Sequence, residues 1–182
     1  VAEKLGIQGT PATLIGDEML SGWIPWEQFD ATIGDALKKH TNFNIAGAFD
    51  PNVRKLDGAI KRLEKKVASG MSYFITQPVY SKEKIIQVYE ETKHLNTPFF
   101  IGIMPIASYN NALFLHNEVP GIKMSDDVLN QFKAVKDDKE KTKELSLRLS
   151  KELIDTVHEY FNGLYIITPF QKVDYSLELA AY

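Results

Sequence analysis

The spacing of apolar positions changes rhythm near residue 40. Before that point two short apolar runs, Ala12 to Ile15 and Met19 to Gly22, flank Gly16-Asp17-Glu18. Gly and Asp tolerate the positive φ of tight turns, so this stretch predicts a β-hairpin. Pro25 follows where a first helical turn would begin, a position at which its missing N–H costs nothing. Phe29, Ile33 and Leu37 then recur every fourth residue and predict a helix ending near His40, weakened somewhat by Gly34. From Thr41 onward the pattern becomes strand, loop, helix. Strand candidates are "FNIAGAF" from Phe43, "SYFITQ" from Ser72, "FFIGIMP" from Phe99 and "LYIIT" from Leu164. Such near-continuous apolar strands belong to sheets covered by helices or closed into barrels. Between them Ile60, Leu63 and Val67, then Ile85, Val88 and Tyr89, mark helices, and a longer one after Asp137 carries Leu145, Leu149, Leu153 and Val157. Ser81 and Ser125 read as N-caps. Gly70 and Gly163 fall at helix-to-strand junctions, where a left-handed C-cap is often needed. The resulting βαβαβαβ order predicts a parallel α/β fold.

Composition narrows the function classes. A chain of 182 residues, 44% hydrophobic and 25% charged, fits one domain, or one domain with a small appendage. Its net charge of -3 offers no electrostatic attraction to nucleic acid or an acidic membrane. With no cysteine, disulfides, thiolate nucleophiles, dithiol exchange and Cys-based zinc sites are excluded, a composition suited to the cytoplasm. No apolar run approaches a membrane span, and Val1 to Gly6, carrying Glu3 and Lys4, shows no export signal.

Candidate chemistry gathers where the strand candidates end: Phe49-Asp50-Pro51-Asn52, Thr76-Gln77-Pro78, Met104-Pro105 with Ser108-Tyr109-Asn110, and Thr168-Pro169-Phe170. In an α/β barrel these ends form the active face. Gln77 has amide donors and an acceptor to offer a pterin-like or flavin-like edge, and Tyr109, in the next loop, has a ring to stack on it. Ordinary loop starters explain the same residues equally well. Lys65 and Lys66 complement a helix C-terminus and read first as a solvated face. No GxGxxG, Walker or Gly-x-Ser-x-Gly pattern is present. The histidines, His40, His94, His116 and His158, form no HxxxH or HExxH pair, so no metal site is expected. For His116, beside Asn117 and Glu118, a structural role is expected.

Three stretches together are more specific: "NIAGAFDPNVRKLDGAIKRLEKKVASGMSYFITQPVY", "FFIGIMPIASYNNALFLHNEVPGI" and "GLYIITPFQKVDY". Through them residues 42–182 resemble the C-terminal half of the methylenetetrahydrofolate reductases, in particular the reductase module of bacterial enzymes that also carry a homocysteine methyltransferase domain. The resemblance implies half of a (β/α)8 barrel of one-carbon metabolism and methionine biosynthesis. In that family FAD sits at the C-terminal face, accepts hydride from NAD(P)H and passes it to the substrate 5,10-methylenetetrahydrofolate. Carried over by motif, Phe49 and Asp50 approach FAD, Lys65 and Lys66 lie near its phosphates, Gln77 bonds the folate pterin, and Tyr109 contacts folate or nicotinamide. The family's first four βα units have no counterpart here, nor do the strand-one Glu that assists iminium formation and the Asp near the flavin N1. Four strands cannot close an eight-stranded barrel, so exposed edges and either self-association or a complementary half-barrel are expected.

The first forty residues carry another likeness. "GTPATLIGDEMLSGWIPWEQFDATIGDAL" is similar to the end of disulfide-forming thioredoxin-fold proteins, which makes Pro11 the expected cis-proline and the segment a ββα fragment without its cysteines. Two domains are therefore expected, 1–40 and 41–182. Two functions stand open: a flavin and folate module that is incomplete as a single chain, and a non-enzymatic chimera in which the thioredoxin-like piece is structural.

Overall fold

Short apolar runs close together in the chain readily pair with each other, and the two runs of the first segment do so. The computed structural model describes residues 12–15, 18–21, 25–38, 44–53 and 55–182. Strands β1 (Ala12–Ile15) and β2 (Glu18–Ser21) are antiparallel, with Ile15 opposite Glu18, and helix α1 spans Trp26–Lys38. Pro25 directly precedes α1, and its carbonyl accepts from Gln28 N at 3.1 Å. Pro11, Gly16, Asp17, Gly22 and His40 lie outside the described residues, as do the side chains of Phe29 and Leu37. The chain divides into two compact units, 1–44 and 45–182.

The second unit alternates strand and helix. Its elements are β3 (Ala46–Phe49), α2 (Leu56–Ala68), β4 (Tyr73–Pro78), α3 (Lys82–Thr92) and β5 (Phe99–Ile103), then α4 (Tyr109–Glu118), α5 (Asp126–Ala134), α6 (Lys139–Tyr160), β6 (Leu164–Ile166) and α7 (Val173–Ala180). The strands form one parallel sheet in the order β3-β4-β5-β6. This is the α/β architecture expected from the sequence, with a helical crossover between each pair of neighbouring strands. The β5–β6 crossover is the longest and holds three helices, α4, α5 and α6.

The period-2 alternation of strand side chains sends Phe49, Phe74, Phe99, Ile101 and Ile103 to one face, where α2, α3, α6 and α7 cover them. Phe74 stacks on Phe99 with ring centroids 5.1 Å apart, and Phe49 meets Phe99 edge-on at 6.0 Å. Ile106, Ala112, Leu115, Phe132 and Leu145 build a second apolar cluster under α4 and α5. Local signals act as expected at three boundaries. Ser81 and Ser125 cap α3 and α5, accepting from Lys84 N and Val128 N. Gly70 has φ +96, and Gly70 N and Met71 N return to Val67 O and Lys66 O, a Schellman closure. Gly163 departs from expectation. The helix before it ends at Phe161 with φ -129, and Gly163 is instead small because Phe100 lies over it: a Cβ there would stand 2.9 Å from the ring.

Candidate functional site

The other face of the sheet carries no helix of the second unit. It presents Ala46 and Ala48 from β3, Ile75 and Gln77 from β4, Phe100 from β5 and Tyr165 from β6. Ile75 is 38% exposed and Phe100 36%, unusual for large apolar side chains in the middle of a sheet. A groove of about 610 Å³ runs along this face toward the C-terminal strand ends, between Ala46, Ala48, Asp50, Ile75, Gln77 and Tyr165.

Tyr165 shapes the groove floor. Its ring crosses β5 at Gly102, and its hydroxyl donates to Thr76 O on β4 at 2.5 Å. Only glycine leaves room, since a Cβ at position 102 would stand 2.9 Å from Tyr165 Oη. The β4–β5 ladder is irregular between Ile75 and Pro78, and there Thr76 Oγ1 accepts from Gly102 N at 3.0 Å. Burial pushes the Tyr165 phenol above its ordinary pKa, so it remains a neutral donor.

The strand ends above the groove are stapled by polar side chains. Asp50 Oδ1 accepts from Asn52 N at 2.9 Å, while the Asn52 amide donates to Gly121 O and to Pro78 O at 3.4 Å. Gly121, at φ +80, lies against the Asp50 carboxylate; a Cβ there would come 2.5 Å from Oδ2. Gln77 is exposed, and its side-chain amide makes no hydrogen bond within the described residues.

Of the residues singled out from sequence, Asp50 and Gln77 meet at the groove. Phe49 flanks them through its backbone only, for its side chain is 4% exposed on the helix-covered face. Lys65 and Lys66 occupy the last turn of α2, which runs antiparallel to the strands and so ends near their N-terminal ends. Lys66 Nζ reaches back along the sheet edge to Ala48 O at 2.9 Å, and Lys65 is exposed. Tyr109 is not in a loop. It opens α4, capped by Ser108, and packs half-buried against the second apolar cluster. His116 is structural as expected: Nδ1 accepts from Met124 N at 3.1 Å, and its carbonyl accepts from Lys123 Nζ at 2.8 Å. Among the described residues no group of three or more His, Asp or Glu side chains is arranged to hold a metal ion, and no helix is long and apolar enough to cross a membrane.

Two side chains, Tyr165 and Phe114, were not singled out from sequence. Tyr165 looked like one more apolar strand residue, and its role depends on Gly102, remote in the chain. Phe114 and Phe170, 56% and 71% exposed, flank a smaller groove of about 370 Å³ beside Asn110 and Lys172. Phe170 and Gln171 hold φ +47 and +60, a region costly for non-glycine residues. Phe170 belongs to the Thr168-Pro169-Phe170 strand end named from sequence.

Three likenesses to known proteins accompany this geometry. The profile of the family described as Methylenetetrahydrofolate reductase matches residues 39–170. Methylenetetrahydrofolate reductase 1 of Schizosaccharomyces pombe is 29% identical over 100 residues, covering 54% of this chain and 16% of that protein. An uncharacterized protein from Clostridium thermocellum that binds two copies of 5-methyl-5,6,7,8-tetrahydrofolic acid has a similar fold, with a TM-score of 0.55 at 22% identity over 82% of this chain and 57% of that one. The chain thus spans only part of the length of each relative.

Proposed function

The chain belongs to the methylenetetrahydrofolate reductase family, and from that premise we propose that its open sheet face is part of a flavin- and folate-binding module. When bound, FAD supplies the carrier for hydride passing from NAD(P)H to 5,10-methylenetetrahydrofolate. Gln77 holds the pterin edge of folate, which its free amide matches with donors and an acceptor side by side. Asp50 lines the flavin side of the groove, and Phe49 contributes its backbone there. Lys65 and Lys66 serve the flavin diphosphate, with Lys66 exchanging the Ala48 carbonyl for a phosphate oxygen. Tyr109 offers folate the uncovered part of its ring. A complementary set of strands, from a second copy or a further half-barrel, completes the enclosure.

The unpaired Gln77 amide on the open face carries this reading, because an exposed, unbonded amide beside a groove is available for recognition. The test is a titration with FAD and 5-methyltetrahydrofolate, followed by flavin fluorescence and calorimetry, with particle mass measured on the same samples. Flavin uptake is expected, with folate binding weakened about tenfold or more in Gln77→Ala. A colourless protein that takes up neither ligand overturns the proposal. A second reading, a non-enzymatic α/β scaffold whose first unit is structural and thioredoxin-like, is favoured by Lys66 and Tyr165 committing their polar heads to backbone carbonyls. NADH oxidation by the purified chain that depends on added FAD would exclude it.

A further inference from the structure

A separate cavity, of about 270 Å³, lies between the start of α3, α5 and the middle of α6, and shares no lining residue with the open-face groove. Met104, Ile106, Val128, Phe132, Leu149 and Leu153 make its walls apolar. Tyr80, Ser146 and Ser150 interrupt them with hydroxyls. The Tyr80 and Ser146 oxygens are enclosed and have no hydrogen-bond partner, and Ser146 is 1% exposed. Buried polar groups are nearly always paired, so two orphans among the residues lining one cavity ask for a partner that the chain does not supply.

The charged groups nearby restrict what that partner is. Ser81 and Ser125 also line the cavity, but both hydroxyls are engaged in capping α3 and α5. Each of those helix starts already carries an acidic side chain, Glu83 bonded to Ser81 and Asp127 bonded to Gln131. Lys82 is paired with Glu152 at 3.1 Å. The four charged side chains on the lining are thus one cation and three anions, which disfavours an anionic occupant. Burial raises the Tyr80 pKa far above its ordinary value, so the phenol stays neutral and keeps its proton to donate.

We propose that this cavity binds a small neutral molecule, an apolar ring or chain bearing a carbonyl or carboxamide oxygen that accepts from Tyr80 and Ser146. The volume suits a ligand on the order of ten non-hydrogen atoms, below the usual size of a drug pocket. Nothing in this assignment depends on flavin or folate.

Benzamide is a suitable probe, with benzoate as its charged counterpart and toluene as its apolar one. In an amide NMR titration of the full chain, benzamide is expected to shift Tyr80, Phe132 and Ser146 and to saturate. Benzoate is expected to bind at least about tenfold more weakly. The doubly substituted Tyr80→Phe/Ser146→Ala chain keeps the apolar walls and is expected to lose about tenfold in benzamide affinity while still binding toluene. Ser150→Leu, which fills the space from α6, abolishes binding by an independent route. Failure of benzamide to saturate overturns the proposal, as does undiminished affinity in the double variant, which identifies an apolar void only. Shifts mapping to Ile75 and Gln77 instead also overturn it.

Discussion

Tyr165 and Gly102 show how a single absent side chain builds a site. The tyrosine reaches Thr76 O only because position 102 has no Cβ to hold its ring away from β5. Gly102→Ala is expected to displace the ring, break that hydrogen bond and destabilise the second unit by about 1–3 kcal/mol, measured by urea unfolding. Once Tyr165→Phe has removed the hydroxyl, the alanine should cost less. Strict additivity of the two substitutions would show that the pair is not coupled. Neither partner signals this in the sequence. Asp50 is the converse case: a polar residue at a strand end stands out, yet its observed bonds are those of a turn, with Asn52 N as donor.

At the scale of elements, the strands and the strongly periodic helices were legible because burial on one face imposes a period. Helix α4 was not, since Ser108-Tyr109-Asn110 reads as loop and a polar residue, Asn111, occupies a buried position. A reciprocal cap holds its start: Ser108 Oγ accepts from Asn111 N at 3.1 Å, and Asn111 Oδ1 accepts from Ala107 N at 3.0 Å. Ser108→Ala should cost about 1 kcal/mol. Asn111→Leu should cost more, about 1–3 kcal/mol, because it leaves the buried Ala107 N–H unpaired. Equal effects in chemical denaturation would contradict the reciprocal arrangement. Helix α7 is tied to α6 by Lys143, which contacts Glu178 at 2.5 Å and Asp174 at 3.0 Å. Hydrogen bonds to Glu178 and Asp174 raise the Lys143 pKa, and Lys143 in turn lowers that of Asp174. A lowered carboxylate contributes stability that is present above its unfolded pKa and lost as pH falls through the folded one. The raised lysine contributes below its unfolded pKa and loses that only in strong alkali. The tie should therefore hold at neutral pH and weaken below about pH 4. Both carboxylates are exposed and Lys143 is half-buried, so the effect is small and salt-sensitive. Amide exchange in α7 should rise in Lys143→Met at pH 7, and the difference from wild type should shrink as pH falls below about 4; an undiminished difference in acid would point to lost packing against Tyr175, over whose ring Lys143 Nζ lies.

At the scale of the whole molecule, both apolar clusters are built, among the described residues, from side chains within 45–182. That segment alone is expected to fold with one cooperative thermal transition and the helical circular dichroism of α2 to α7. A non-cooperative melt would show that residues 1–44 are required. What the sequence by itself determined was the parallel α/β order, the hairpin and helix of the first unit, the caps at Ser81, Ser125 and Gly70, and Asp50 and Gln77 as strand-end residues. All of these follow from local periodicity and local backbone chemistry. Tertiary structure alone decided that Phe49 turns into the core, that Lys66 closes on Ala48 O, that Tyr165 lies over Gly102, and that Tyr80 and Ser146, both with unpaired hydroxyls, belong to the lining of one cavity. Each of those is a meeting of residues far apart in the chain. The side-chain pattern gives each strand two faces, but only packing against neighbouring elements decides which face is covered and which remains open to bind.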